Sequence, residues 1–116
     1  MSVNVTWEDV EEFCSNLTEY LSNRGAEVKG VYAPPRGGLC IGVMMSHRLS
    51  VPMLMNPCDG CLVVDDIADE GKTLQHIVDD YDCIVATIGY SRQCTFEPEF
   101  WCMEKTGEWF EFPWER

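Results

Sequence analysis

The segment Val63-Val64-Asp65-Asp66-Ile67-Ala68-Asp69-Glu70-Gly71-Lys72-Thr73-Leu74 joins an apolar run to two acids, a glycine-bearing loop and a helix start. The apolar run 61–64 is continuous rather than alternating, the mark of a strand buried on both faces, and it ends at Asp65-Asp66. A helix over 73–80 follows. Backbone N–H groups of the loop and of the helix N-terminus form a cradle for an anion. The two carboxylates can accept hydrogen bonds from vicinal hydroxyls of a sugar or hold a hydrated Mg2+. A solvated acidic loop with Asp or Thr capping the helix is the plainer alternative.

Outward from this segment, strands and helices alternate. Thr6-Trp7-Glu8-Asp9 is an N-cap followed by acids, and Val10, Phe13, Leu17 and Leu21 recur at helical spacing up to Gly25. This predicts a helix over 7–23. A short strand over 28–33 runs into Pro34-Pro35-Arg36-Gly37-Gly38, a stiff and then flexible loop, and a buried helix over 39–49 follows. The apolar piece 51–55 precedes turn material at 56–60. A further buried strand is expected over 83–89. Two apolar-rich pieces, 100–103 and 109–112, end the chain.

Such alternation predicts an α/β fold: a single domain over 1–116 with a mainly parallel twisted sheet flanked by helices. The strands 28–33, 61–65 and 83–89 are expected to be parallel neighbours. Only five residues separate 51–55 from the next strand, too few for a parallel return, so that piece belongs at the sheet edge or leads into an extended segment. Ligands of such sheets sit beyond the carboxyl ends of the strands, where both glycine-bearing loops fall.

The chain has 116 residues, with 8 Lys+Arg against 20 Asp+Glu and a net charge of −12. This balance argues against a nucleic-acid partner, since a polyanion needs clustered Lys and Arg. No apolar run approaches the roughly 20 residues that span a bilayer. No signal pattern opens the chain, so a cytoplasmic, reducing setting is expected, with most of the seven cysteines acting as small core hydrophobes. Cys58-Asp59-Gly60-Cys61 is half a zinc site or a redox pair on one reading. On the other it is a turn with incidental thiols, because no second pair and no His-x3–5-His accompanies it.

The segment 63–74 resembles the 5-phosphoribosyl-1-pyrophosphate (PRPP) motif of type I phosphoribosyltransferases: an apolar strand, two acids, three variable residues, Thr or Ser, Gly, any residue, Thr. Val31-Tyr32-Ala33-Pro34-Pro35-Arg36-Gly37-Gly38 is similar to the family's first strand and its pyrophosphate loop. Trp109-Phe110-Glu111-Phe112-Pro113-Trp114-Glu115 is similar to the ending of its xanthine/guanine/hypoxanthine-like members. The three motifs occur in the family's order and cover most of the chain.

The resemblance implies a pentosyltransferase of purine salvage that transfers the phosphoribosyl group from PRPP to a purine-type nucleobase with Mg2+, working as a homo-oligomer, a dimer or larger. Asp65 and Asp66 would bind the ribose hydroxyls, with Asp66 also near the metal. Ala68, Asp69, Glu70, Gly71, Lys72 and Thr73 would cradle the 5′-phosphate, and Asp69 would exchange a proton with the purine. Arg36, Gly37 and Gly38 would hold pyrophosphate. Trp109 would stack on the base, with the Phe110 backbone at its edge; core packing is the alternative for Trp109 and Trp114.

Three departures accompany the resemblance. Glu70 stands where the family has Thr or Ser, and a carboxylate facing a phosphate dianion repels it. The long flap of relatives is reduced to 56–60. The family's base-reading lysine corresponds to Ser91, with Arg92 beside it. A non-catalytic nucleotide- or PRPP-binding module is therefore the second reading.

Overall fold

The computed structural model describes residues 2–115. Its elements run β1 (Ser2–Asn4), α1 (Trp7–Arg24), β2 (Val31–Tyr32), α2 (Leu39–Leu49), β3 (Leu62–Ala68), α3 (Lys72–Asp80), β4 (Ile84–Ser91), β5 (Phe100–Lys105) and β6 (Trp109–Glu111), then a 3-10 turn at Pro113–Glu115. Four strands form a sheet in the order β2-β3-β4-β5, and β1 and β6 form a separate pair. Every pairing is parallel.

Helix α1 begins and ends as its sequence requires. The Thr6 hydroxyl accepts the Asp9 N–H at 3.1 Å and Asp9 Oδ2 accepts the Thr6 N–H at 2.9 Å, a reciprocal cap. Gly25 closes the helix at φ 71°, where a side chain would be strained. Val10, Phe13, Cys14, Leu17 and Leu21 are buried along one stripe. They join Ile41 and Met45 of α2 and Leu62 and Val64 of β3 in the larger core. Val63 and Val85 point the other way, into a second core with Leu74 and Ile77 of α3. The continuous apolar run of β3 is thus buried on both sides.

Several boundaries differ from expectation. The strand expected over 28–33 is reduced to Val31–Tyr32; before it, Lys29 N–H donates to Gly60 O at 3.0 Å and Gly30 O accepts from Leu62 N–H at 2.9 Å. The strand expected to end at Asp65-Asp66 continues to Ala68, where Ile67 and Ala68 pair with Gly89 and Tyr90. Ala68 is consequently a core residue, 1% exposed. Helix α3 begins one residue early, at Lys72. The piece 51–55 lies at the sheet edge: Met53 bridges to Val31, whose N–H donates to Pro52 O at 2.9 Å and whose O accepts from Leu54 N–H at 2.8 Å.

All seven cysteines are free thiols; Cys14 and Cys61 are fully buried, and Cys58, Cys83 and Cys94 pack half-buried against the second core, so most act as the small core hydrophobes expected. The Cys58–Cys61 segment is a turn closed by the Cys61 N–H on Cys58 O at 3.2 Å. No helix among the described residues is long and apolar enough to cross a membrane.

Candidate active site

The carboxyl end of β3 collects the chemistry. Asp66 N–H donates to Asp65 Oδ1 at 2.9 Å, and Ile67 N–H donates to Asp66 Oδ1 at 2.7 Å, so local backbone orients both carboxylates. Burial pushes the Asp65 carboxyl up to about 8, and the neighbouring Asp66 carboxylate adds to the rise. Asp66 is raised as well, chiefly by burial. Among the described residues neither acid has a salt-bridge partner.

Two half-buried acids without a counter-cation suit a hard divalent ion. No group of three or more His, Cys, Asp or Glu among the described residues builds an all-protein cage. Mg2+ does not need one: it binds through one or two carboxylates and completes its shell with water and substrate phosphates.

The loop before α2 lies directly over these acids. A Cβ on Gly37 would come within 2.4 Å of Asp66 Oδ2, and one on Gly38 within 2.4 Å of Val64 O. Glycine is what lets this backbone approach so closely. The Pro35–Arg36 peptide is cis. Arg36, exposed, lines a cavity of about 560 Å3 with Gly37, Asp66, Trp114 and Glu115.

On the other side of Asp66 the chain turns through Asp69, Glu70 and Gly71 into α3. Gly71 caps the helix at φ 83° and offers no side chain to its first-turn N–H groups, which remain available to an anion. A Cβ on Gly71 would also strike Cys94 Sγ at 2.5 Å. The loop and helix start line a cavity of about 330 Å3 that also touches Asp65. The Glu70 side chain is 72% exposed and lies 3.5 Å from Lys72 Nζ, itself 82% exposed.

Asp69 is held by Lys105 Nζ at 2.8 Å and by Gln93 Nε2 at 3.2 Å. The Lys105 ammonium keeps its carboxyl below the ordinary range. Asp69 and Lys105 border a cavity of about 150 Å3 together with Asp66, Trp109 and Phe110. Trp109 is 67% exposed, which removes the core-packing reading for it. Trp114 does pack, stacked on Phe112 at 5.2 Å and edge-on to Trp7 at 6.0 Å. Ser91 is buried, and Arg92 is turned outward onto Glu104 in a two-point ion pair.

The structure therefore brings Arg36–Gly38, Asp65, Asp66, Asp69, the start of α3 and Trp109 to one end of the sheet; Glu70 lines the cavity at the start of α3 as an exposed side chain, and Arg92 is paired with Glu104. Sequence reading missed Lys105 and Gln93. The signal for Lys105 lay in the piece 100–103: extended as a parallel strand, it delivers Lys105 to the same carboxyl edge.

No family model matches the sequence. A xanthine-guanine phosphoribosyltransferase of Vibrio atlanticus (strain LGP32) is 22% identical over 135 aligned positions, covering 96% of this chain and 87% of that protein. Among solved structures, a purine phosphoribosyltransferase from Pyrococcus horikoshii Ot3 superposes with a TM-score of 0.84 at 22% identity, covering 99% of this chain and 95% of that one. A xanthine-guanine-hypoxanthine phosphoribosyltransferase from Helicobacter pylori gives a TM-score of 0.84 at 14% identity, covering 99% and 94%.

Proposed function

We propose that this chain, which has the type I phosphoribosyltransferase fold, transfers the 5-phosphoribosyl group of PRPP to a purine-type base and releases pyrophosphate. The observation that carries the reading is the contact of the Arg36–Gly38 loop with Asp66, one strand end away from the Asp69–Gly71 loop. A substrate with a phosphate at one end and a pyrophosphate at the other needs two anion cradles flanking a pair of hydroxyl acceptors. The strand order supplies that spacing.

The 5′-phosphate rests on the N–H groups at the start of α3, where the helix dipole favours it. Asp65 and Asp66 accept the ribose hydroxyls. Arg36 and the backbone at Gly37 and Gly38 take the pyrophosphate. Mg2+, held by Asp66 and the substrate, would neutralise charge growing on the leaving group. In the transfer, the bond from the anomeric carbon to the pyrophosphate oxygen breaks and one to a base nitrogen forms. Asp69, kept ionised by Lys105, accepts the proton that this nitrogen system releases. Trp109 stacks on the base and fixes its plane.

Glu70 and the missing flap are the departures that favour a non-catalytic module. The Glu70 carboxylate is largely exposed and paired with Lys72, which offsets its repulsion of a phosphate. The segment where relatives carry a flap is a short turn, pinned by Gly60 N–H on Asp82 O at 2.7 Å. Water exclusion then falls to the bound substrate itself. Pyrophosphate release from PRPP, measured across purine and pyrimidine bases, tests the reading. Release that depends on a purine supports it; PRPP binding without release under any base returns the module.

A further inference from the structure

Three thiols converge at the amino end of the sheet, the end opposite the candidate active site. Cys61 directly precedes β3 and Cys83 directly precedes β4, and the parallel register of Leu62 with Ile84 sets the two side by side. Both pack in the second core with Val63 and Val85. Cys58 reaches the same point through a four-residue turn, with Gly60 at φ 85° and the Cys61 N–H on Cys58 O at 3.2 Å. The Cys61 thiol touches that of Cys58 on one side and that of Cys83 on the other. The turn is pinned from both flanks: Lys29 N–H donates to Gly60 O at 3.0 Å, Gly60 N–H to Asp82 O at 2.7 Å and Asp82 N–H to Asp59 Oδ1 at 2.8 Å.

Backbone geometry chooses between the two neighbours of Cys61. The ends of a β-turn lie within about 7 Å at Cα, which covers the span of about 4.4–6.8 Å that a disulfide needs. Adjacent parallel strands run about 4.7–4.9 Å apart, wider than the Cβ separation of about 3.5–4.5 Å in a disulfide, so Cys83 lies alongside Cys61 without being placed to bridge it.

We propose that Cys58 and Cys61 are a dithiol oxidation site, closed to a disulfide by a low-molecular-weight disulfide such as oxidised glutathione, with Cys83 a spectator. The Cys58 sulfur gives up its proton and attacks the glutathione disulfide; that S–S bond breaks, a mixed disulfide forms on Cys58, and one glutathione leaves as its thiol. The Cys61 sulfur then attacks Cys58, and its proton goes with the second departing glutathione. Two protein thiols are oxidised to one disulfide, and one glutathione disulfide is reduced to two thiols. Burial holds Cys61 above the ordinary thiol range and pushes Cys83 up to about 11, so neither makes the first attack. Cys61 takes part because the turn holds it against Cys58. Strand β3 separates the bridge from Ala68 by about 20 Å, which leaves the carboxyl end of the sheet untouched.

Incubation of the intact folded chain in glutathione buffers of rising oxidised fraction tests this, with acid quenching, alkylation after unfolding, and mass spectrometry. Reduced wild type should take up seven alkyl groups, one for each cysteine, and oxidised wild type two fewer, with peptide mapping linking Cys58 to Cys61. Cys83→Ser should form the same bridge, whereas Cys58→Ser and Cys61→Ser should keep every remaining thiol or carry only a glutathione adduct. Near-ultraviolet circular dichroism checks that each variant is folded. Wild type that keeps all seven thiols in the most oxidising buffer, or stops at glutathione adducts, overturns the proposal. So does a bridge that runs to Cys83, or one that forms only after the chain is unfolded in urea.

Discussion

Gly37 lies so close to Asp66 that a Cβ on Gly37 would come within 2.4 Å of the Asp66 carboxylate. This approach joins the loop before α2 to the end of β3, from which the chain runs on through Asp69 and Gly71 into α3. Gly37→Ala must displace either the loop or the carboxylate, which the Ile67 N–H holds at 2.7 Å. Crowding of this kind costs about 1–3 kcal/mol of stability, readable by denaturant unfolding. Affinity for PRPP in the presence of Mg2+ should fall about tenfold or more, because a misplaced carboxylate forfeits at least one charged hydrogen bond. Unchanged affinity in the folded variant would show that the contact is incidental to binding.

Glu70→Thr tests how far the exposed carboxylate, paired with Lys72, opposes a phosphate. An exposed pair such as Glu70 and Lys72 is worth about 0.2–1 kcal/mol, so removing it should change PRPP affinity by less than about fivefold. Calorimetry reads the difference. An improvement well beyond that range would mean that Glu70 turns inward and opposes the phosphate.

Asp65 makes stability depend on pH. Its carboxyl is raised from 3.8 to about 8 in the folded chain. Between those values the folded state keeps a proton that the unfolded chain has lost, so stability falls as pH rises through the window. Asp65→Asn removes the effect. In metal-free protein the variant should melt higher than wild type at about pH 9, by roughly 4–8 °C or more, with the gap closing towards about pH 4. A gap independent of pH would mean that Asp65 is not desolvated.

The middle of the fold was legible because its local signals agree. Thr6 and Asp9, Gly25, and the unbroken apolar run before Asp65 each specify one outcome through capping or burial, and the structure follows them. Strand ends were less legible. The extension of β3 to Ala68 depends on Gly89 and Tyr90 of β4 being there to pair, which no local pattern announces. Strand β5 was harder still. It is an edge strand with partly exposed residues on both faces, so Phe100 to Lys105 show no alternation. Lys105 became visible as a site residue only once its register against Ser91 was known. Asp65, Asp66 and Asp69 stood out in sequence because acids that follow a buried strand need a reason to be there.

Formation of a nucleoside monophosphate from PRPP, Mg2+ and hypoxanthine, followed by phosphorus NMR in wild type and in Asp69→Asn, addresses the central claim directly. Wild type should convert PRPP into the monophosphate and pyrophosphate in equal amounts. Asp69→Asn should still bind PRPP but slow the conversion by about a hundredfold or more, the usual worth of a positioned general base. Wild type that leaves PRPP intact with hypoxanthine and with every other purine base would contradict the account.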